Sequence, residues 1–455
     1  MLRRLALDVS PLRTSRPFRN VFIARTVSVF GIGMLMVALP VQVHQMTGST
    51  LHVGAVSGTG GLALLAGLLW GGVMADRNDR RTLMLRGRIA AGIGFALLAL
   101  NAFLPSPSLA ALYVLAAWDG VTTGISLTAL LAATPALVGP DKLVAAGALN
   151  ALTVRLGSML SPALGGVVIS AFGVGWNYTA AAAGTFGTLG LLTALPPLKP
   201  GGPPVVAGAG ESGALGKTGE TAEAAAGSGG AVPAAQNTEA DEETGGAEAA
   251  HPLRAIGAGL RFVAGHRVVG GLMLLGLLFM VAGGIPVLMP AFATEQLGGG
   301  PTTVGLLYAA PACGAVLASV TSGWTSALRA PGRVLLIASV AGFVILACLG
   351  LARHPALAVA VLFGYGFVAS IEEILRYGLI QTHTPDGYLG RVNALWSAQD
   401  TAGEAVGSVS AGALGRYLAP GDAIVVYGAV SAVLALILAV FLTGLRTATL
   451  RPETA

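Results

Sequence analysis

The chain has 455 residues, of which 54% are hydrophobic and only 10% charged, with a formal net charge of +5. A soluble chain carries roughly 25% charged residues, so the polar groups here are too few to clothe a globule, and large apolar surfaces must face a bilayer. That balance argues against a soluble enzyme, a nucleic-acid binder or a disulfide scaffold. Cys313 and Cys348 each lie in an apolar run and the six histidines are scattered, so no disulfide framework, metal site or other cofactor is expected.

The N-terminal stretch 1–19 carries arginines but no apolar core followed by a small-residue cleavage site, and it reads as a cytoplasmic arm. A spanning helix needs about 20 mostly apolar residues. Six such runs follow, at 20–42, 52–74, 82–104, 109–135, 146–172 and 176–196, forming an N-terminal six-helix bundle over 20–196. Residues 197–252 break the pattern with 12 Gly, 14 Ala, 6 Pro and eight acids against two lysines, the composition of a disordered cytoplasmic linker. The next stretch, 252–267, sets apolar residues at helical spacing around Arg254, Arg261 and Arg267, as suits a helix on the membrane interface. Six more runs, at 268–291, 303–326, 333–352, 356–380, 392–418 and 423–445, complete a C-terminal half over 253–445, before a cytoplasmic tail at 446–455. The expected fold is an all-α polytopic membrane protein with twelve transmembrane helices in two pseudo-symmetric six-helix bundles.

Of the 26 bases, 21 fall on the alternating side that includes both termini, while only Arg353 and Arg416 fall on the other. By the positive-inside rule both termini are cytoplasmic, and the plasma membrane of a bacterium is the expected location. The basic balance is thus chiefly a topology signal, and no nucleic-acid partner is expected.

The halves repeat. Val53-Gly54 opens the second span as Val304-Gly305 opens the eighth, and Gly72 and Gly323 each stand 18 residues further on. Asn150-Ala151-Leu152 and Asn393-Ala394-Leu395 start the fifth and eleventh spans, each a few residues after a Pro-Asp pair. Two parallel halves with a central loop describe a secondary transporter, its site between the halves at mid-membrane.

The loop after the second span runs from Gly71-Gly72 through Asp76 and Arg77 to Arg80 and Arg81. It resembles the signature loop of the major facilitator superfamily, which implies that Gly72 permits close packing while Asp76 exchanges partners as the halves rock. Positive-inside topology alone explains the bases but not Gly72. Gly157, Ser161, Pro162, Gly165 and Gly166 in the fifth span look like the antiporter motif of proton-coupled exporters, with Ser where that pattern has Gly. Close packing of small residues explains the same stripe.

Charges inside spans cost roughly 2.5–3.5 kcal/mol each on insertion scales and so mark function. They are Arg25, Asp119, Arg155, Glu372, Glu373, Arg376, Asp400 and Glu404. Glu372 stands four residues before Arg376 and Glu373 three, so Arg376 reads as neutralised. Asp400 and Glu404 lie one turn apart on one face. Counted from the repeated Asn-Ala-Leu, they take the places of Gly157 and Ser161 and should face the central cavity. Asp119, Glu404 and Asp400 are the candidates for proton coupling. Arg25, Arg155, Glu372, Glu373 and Arg376 are the candidates for the substrate cavity.

The stretches 60–77, 128–139 following Trp118-Asp119-Gly120, 153–166, 175–186 and 381–399 together resemble the enterobactin exporter branch of the major facilitator superfamily. The resemblance implies export of a catecholate siderophore by proton antiport and alternating access, by a protein that works as a monomer with protons, substrate and the bilayer as its partners. Arg25, Asp119, Arg155 and an acid at Glu404 fit that branch, whereas Glu372, Glu373, Arg376, Asp400 and the acidic insert depart from it. A broad-specificity proton-coupled multidrug exporter, or a transport-inactive membrane sensor or scaffold, stays open as an alternative.

Overall fold

The structure is a computed structural model and describes residues 10–138, 142–196, 198 and 252–450. The linker expected at 197–252 therefore falls almost wholly outside the described residues, as do residues 1–9 of the arm and 451–455 of the tail. The long helices are α1 (Arg16–Thr47), α2 (Thr50–Arg77), α3 (Arg80–Phe103), α4 (Leu109–Leu137), α5 (Leu143–Phe172) and α6 (Val174–Gly187) in the first half. The second half has α7 (Arg267–Ala282), α8 (Pro301–Thr321), α9 (Pro331–Leu349), α10 (Pro355–His383), α11 (Asp386–Leu414) and α12 (Pro420–Phe441). No strand occurs among the described residues.

Among the described residues, ten crossing segments combine the length and apolarity that a bilayer demands. The other two differ for reasons written in their residues. α11 carries Asp386, Arg391, Asp400 and Glu404, and α6 stops at Gly187 before a short helix, Leu189–Thr193, carries the crossing on. The sixth run is thus two helices rather than one. The seventh run, 268–291, is not one helix either. α7 ends at Ala282, and a 3₁₀ turn (Ile285–Leu288), a short helix (Met289–Ala291) and a π turn (Phe292–Gln296) finish the crossing. Pro286 and Pro290 remove amide donors from the helix ladder, and Gly284 presses against the Gly407 carbonyl of α11, where no Cβ fits. Irregular backbone at membrane depth is tolerated where it lines a cavity, and Gly283 does so.

Local chemistry sets the ends. Ser15 caps α1: its hydroxyl accepts from the Phe18 amide (3.2 Å) and donates to the Leu137 carbonyl (2.9 Å), fastening the start of α1 to the end of α4. The helix Pro252–Gly265, expected at the interface, lies against the start of α11. There Phe262 stacks on Tyr388 with ring centroids 4.6 Å apart.

Glycine decides how the halves meet. Gly54 of α2 rests on Gly412 and the Ser408 carbonyl of α11, and Gly305 of α8 rests on Gly166 and the Pro162 carbonyl of α5. These are two copies of one crossing. They bear out the pairing of Gly54 with Gly305 and correct the other register. Gly412 corresponds to Gly166 and Ser408 to Pro162, so Asp400 and Glu404 match Val154 and Ser158 rather than Gly157 and Ser161. The Asn-Ala-Leu triplets stand three residues, almost one helical turn, out of step with the crossing.

Most bases at helix ends, among them Arg77, Arg80, Lys142, Arg267, Arg329, Arg391 and Arg446, gather on one face, termed the basic face below. Near the opposite face the halves share one apolar core, with Val37, Val56 and Leu112 from the first half and Leu288, Phe343 and Ile424 from the second. Near the basic face each half has a core of its own, around Leu83, Ala133 and Leu149 in the first and Leu272, Leu335 and Leu379 in the second. Contacts across the opposite face add to the seal: the Thr50 hydroxyl donates to the Gly412 carbonyl at 3.0 Å, and His44 lies 3.7 Å from Glu295. The halves therefore close at one face and part toward the other.

Candidate functional site

Between the halves lies a cleft that side chains divide into connected compartments. The central one, about 420 Å³, is walled by both halves and brings Asp119 of α4 together with Asp400 and Glu404 of α11. Gly120 makes this placement possible by lying against the Gly60 carbonyl of α2, while the Trp118 indole donates to the Ala90 carbonyl of α3 at 2.8 Å and fixes the rotation of α4. One carboxylate oxygen of Asp119 is buried with no hydrogen-bond partner. The three acids named as proton-coupling candidates thus share one wall system, although they come from opposite halves.

A larger compartment of about 700 Å³ belongs to the second half and is lined by Glu372, Glu373, Arg376, Asp400 and Glu404. Arg376 and Glu372 are both buried, with the guanidinium Nε 3.4 Å from the carboxylate. The approach is poorly directed and leaves both atoms without a true hydrogen bond, so it is an ion pair held by proximity. The guanidinium also lies 5.1 Å from the Trp396 ring centroid, a cation–π distance. Gly276 gives it room, since a Cβ there would meet the guanidinium and the Gln399 amide. The neutralisation expected for Arg376 is thus carried by Glu372, and Glu373 is exposed and makes no ion pair among the described residues.

The third compartment, about 500 Å³, is almost entirely apolar and runs from Val29 and Met36 past Ser158 and Pro162 to Leu307 and Tyr365. A fourth, a recess of about 180 Å³ inside the first half, is lined by Arg25, Arg88, Ser28, Thr123 and Ser126. From the sequence alone, Arg88 is one more base on the side that includes both termini. Its Nε is buried without a hydrogen-bond partner. Its place was legible from Asp79, which caps α3 by accepting from the Arg81 amide at 3.0 Å and so puts Arg88 more than two turns inside that helix. Tyr308 was missed as well; it lines both the central and apolar compartments, and nothing in its surrounding sequence marks it out.

Arg155 forms no part of the wall of these four compartments, although its neighbours Val154 and Ser158 do. The antiporter-like stripe is engaged in packing. Gly157 faces Val29, Ser161 lies against Gly33 and donates to the Gly157 carbonyl, and Gly165 faces Met34, all toward α1. Gly166 and Pro162 meet α8. In the signature loop Asp76 and Arg77 are exposed, and Gly72 has open space where a Cβ would stand. The acid with structural partners is Asp79, which also accepts from the Leu198 amide at 2.8 Å. Arg81 reaches the Thr193 carbonyl. Together they tie the loop to the end of the sixth crossing, within one half.

Comparisons with known proteins agree with this architecture. Residues 6–201 match the family model for the transmembrane secretion effector and residues 271–455 that of the Major Facilitator Superfamily. Among solved structures, the nucleoside transporter NupG superposes with a TM-score of 0.69 at 10% identity, covering 94% of this chain and 99% of that one. A POT family transporter in complex with 5-aminolevulinic acid gives 0.66 at 13%, covering 95% and 97%. At those identities the likeness is one of fold. Twelve crossing segments among the described residues, in two related halves around a charged cleft, define a major facilitator transporter, and the chain belongs to that superfamily. Enterobactin exporter EntS of Citrobacter koseri is 40% identical over 414 residues, and its counterpart in Shigella boydii serotype 18 is 39% identical over 416, each match covering 91% of this chain and 89% of the relative. Within the superfamily, the chain belongs to the enterobactin exporter family.

Proposed function

We propose that this protein exports a siderophore of the catecholate type from the cytoplasm across the inner membrane, by alternating access coupled to proton entry. The observation that carries the reading is the meeting of Asp119 with Asp400 and Glu404 around one cavity between the halves, in a chain whose relatives are named as enterobactin exporters. The basic face is taken as cytoplasmic by the positive-inside rule. In that orientation the cleft stands open to the cytoplasm, ready to load. The apolar compartment receives aromatic rings, and the acids exchange protons with whichever face is open.

The packing supports a rocking cycle. Substrate enters between the separate cores of the basic face, and the halves rock about the two glycine crossings. Asp76 and the bases Arg77, Arg80 and Arg81 then latch the cytoplasmic face, while the His44–Glu295 contact opens. A proton taken up by a cleft carboxyl from the outer face is released inward, which resets the transporter. Deleting the gene from its host should lower siderophore in iron-starved medium and raise it inside the cells. Undiminished siderophore in the medium would refute the assignment.

A further inference from the structure

The two walls of the cleft carry opposite charge. The recess of the first half holds Arg25 and Arg88, no carboxylate lines it, and neither arginine has an ion-pair partner among the described residues. The opposite wall presents four carboxyls against one guanidinium, and that guanidinium, Arg376, is already engaged by Glu372 and Trp396. Glu373, Asp400 and Glu404 make no ion pair among the described residues. On the first half's side of the same central compartment lies Asp119, with its buried, unpartnered oxygen.

We infer that the cleft is built for a bipolar substrate, one with an anionic chelating arm for Arg25 and Arg88 and a cationic group, a guanidinium or alkylammonium, for Glu373, Asp400 and Glu404. The inference rests on the reading of this cleft as the siderophore path and narrows its substrate class. A molecule anionic throughout meets three unpaired carboxylates on the second wall, and like-charge juxtaposition is a strong device of exclusion. Giving one proton to a carboxyl for coupling does not empty that wall of charge. The wall also shows how it holds a cation, because Arg376 sits between a carboxylate and an indole, and Tyr365 and Tyr377 line the same compartment.

Size and connection agree with this. A cavity of about 150 Å³ holds one benzene ring, so the 180 Å³ recess takes one chelating arm rather than a whole siderophore. Ile32 and Thr123 line both the recess and the central compartment, so the two adjoin, and a molecule that spans both meets the arginines at one end and the acids at the other.

Two probes that differ only in charge test the inference by equilibrium binding to the full-length protein in lipid nanodiscs. They are 2,3-dihydroxybenzoyl-arginine methylamide and its citrulline counterpart, in which a neutral urea replaces the guanidinium. The arginine probe should bind about tenfold more tightly, the effect of one charge pair in a partly shielded cleft. The double variant Glu373→Gln/Asp400→Asn should erase that preference, bringing the arginine probe down to the affinity of the citrulline probe, and Arg88→Gln should weaken both probes by the same factor. Equal binding of the two probes to the unaltered protein, both displaced by enterobactin, would overturn the inference and leave the siderophore reading standing. Binding of neither probe would overturn both.

Discussion

The two halves of the molecule repeat their backbone and not their chemistry. Gly54 on Gly412 and Gly305 on Gly166 are one crossing built twice, yet the position that is Glu404 in the second half is Ser158 in the first, and Asp400 is Val154. The first half answers with Arg25 and Arg88 in a recess of its own. Positions that set how closely helices approach have to stay small in both copies, because rocking needs two equivalent pivots. Positions that face the cleft are free to diverge, and an asymmetric substrate requires that they do.

The strongest way to break this comparison is at the pivots. Gly305→Val and Gly412→Val should each destabilise the protein by about 1–3 kcal/mol through overpacking and abolish transport, as read by thermal unfolding in detergent and by export. A large effect at one glycine and none at the other would separate the crossings and remove their equivalence. The next largest effect is expected at the acids that face each other across the cleft. Asp119→Asn and Glu404→Gln should each cut gradient-driven transport tenfold or more, about 1.4 kcal/mol, with thermal stability held, because neither side chain makes an ion pair among the described residues. Ser158→Ala, the matching position in the first half, should leave the gradient dependence alone.

Smaller effects sharpen the charge asymmetry. Arg88→Gln should weaken catecholate binding roughly three- to tenfold, in the range of a charge-assisted hydrogen bond. Arg391→Gln, on the basic face and outside these four compartments, should not change it. The least effect is expected at the closed face. Glu295 is about half exposed, and exposed ion pairs contribute roughly 1 kcal/mol or less. His44→Ala should therefore raise labelling of a cysteine introduced at Thr294 by less than about fivefold.

Most of the fold could be read from the sequence because a bilayer leaves few options: apolar runs must be helices and bases must gather on one side. Span ends were harder. Gly283, Gly284, Pro286 and Pro290 look from the sequence like ordinary residues of an apolar run, and only the approach of Gly407 shows why α7 stops where it does. Both copies of the crossing are in the sequence, but the Asn-Ala-Leu triplets misplace one of them, because α5 and α11 reach their pivots after different lengths of helix. The site was visible as a set of costly charges and not as an arrangement. Nothing in the spacing of Glu372, Glu373 and Arg376 tells that Glu372 takes the ion pair and leaves Glu373 free. Arg88 escaped notice since a base near a helix start satisfies the topology rule so well that no second role is sought.

The most direct test is uptake of a labelled catecholate siderophore by proteoliposomes oriented with the basic face outward. With an acidic lumen, uptake should rise above equilibrium, collapse with a protonophore, and lose its dependence on the gradient in Glu404→Gln and Asp119→Asn. Uptake that is equal with and without the gradient in the unaltered protein would contradict proton-coupled export through this cleft.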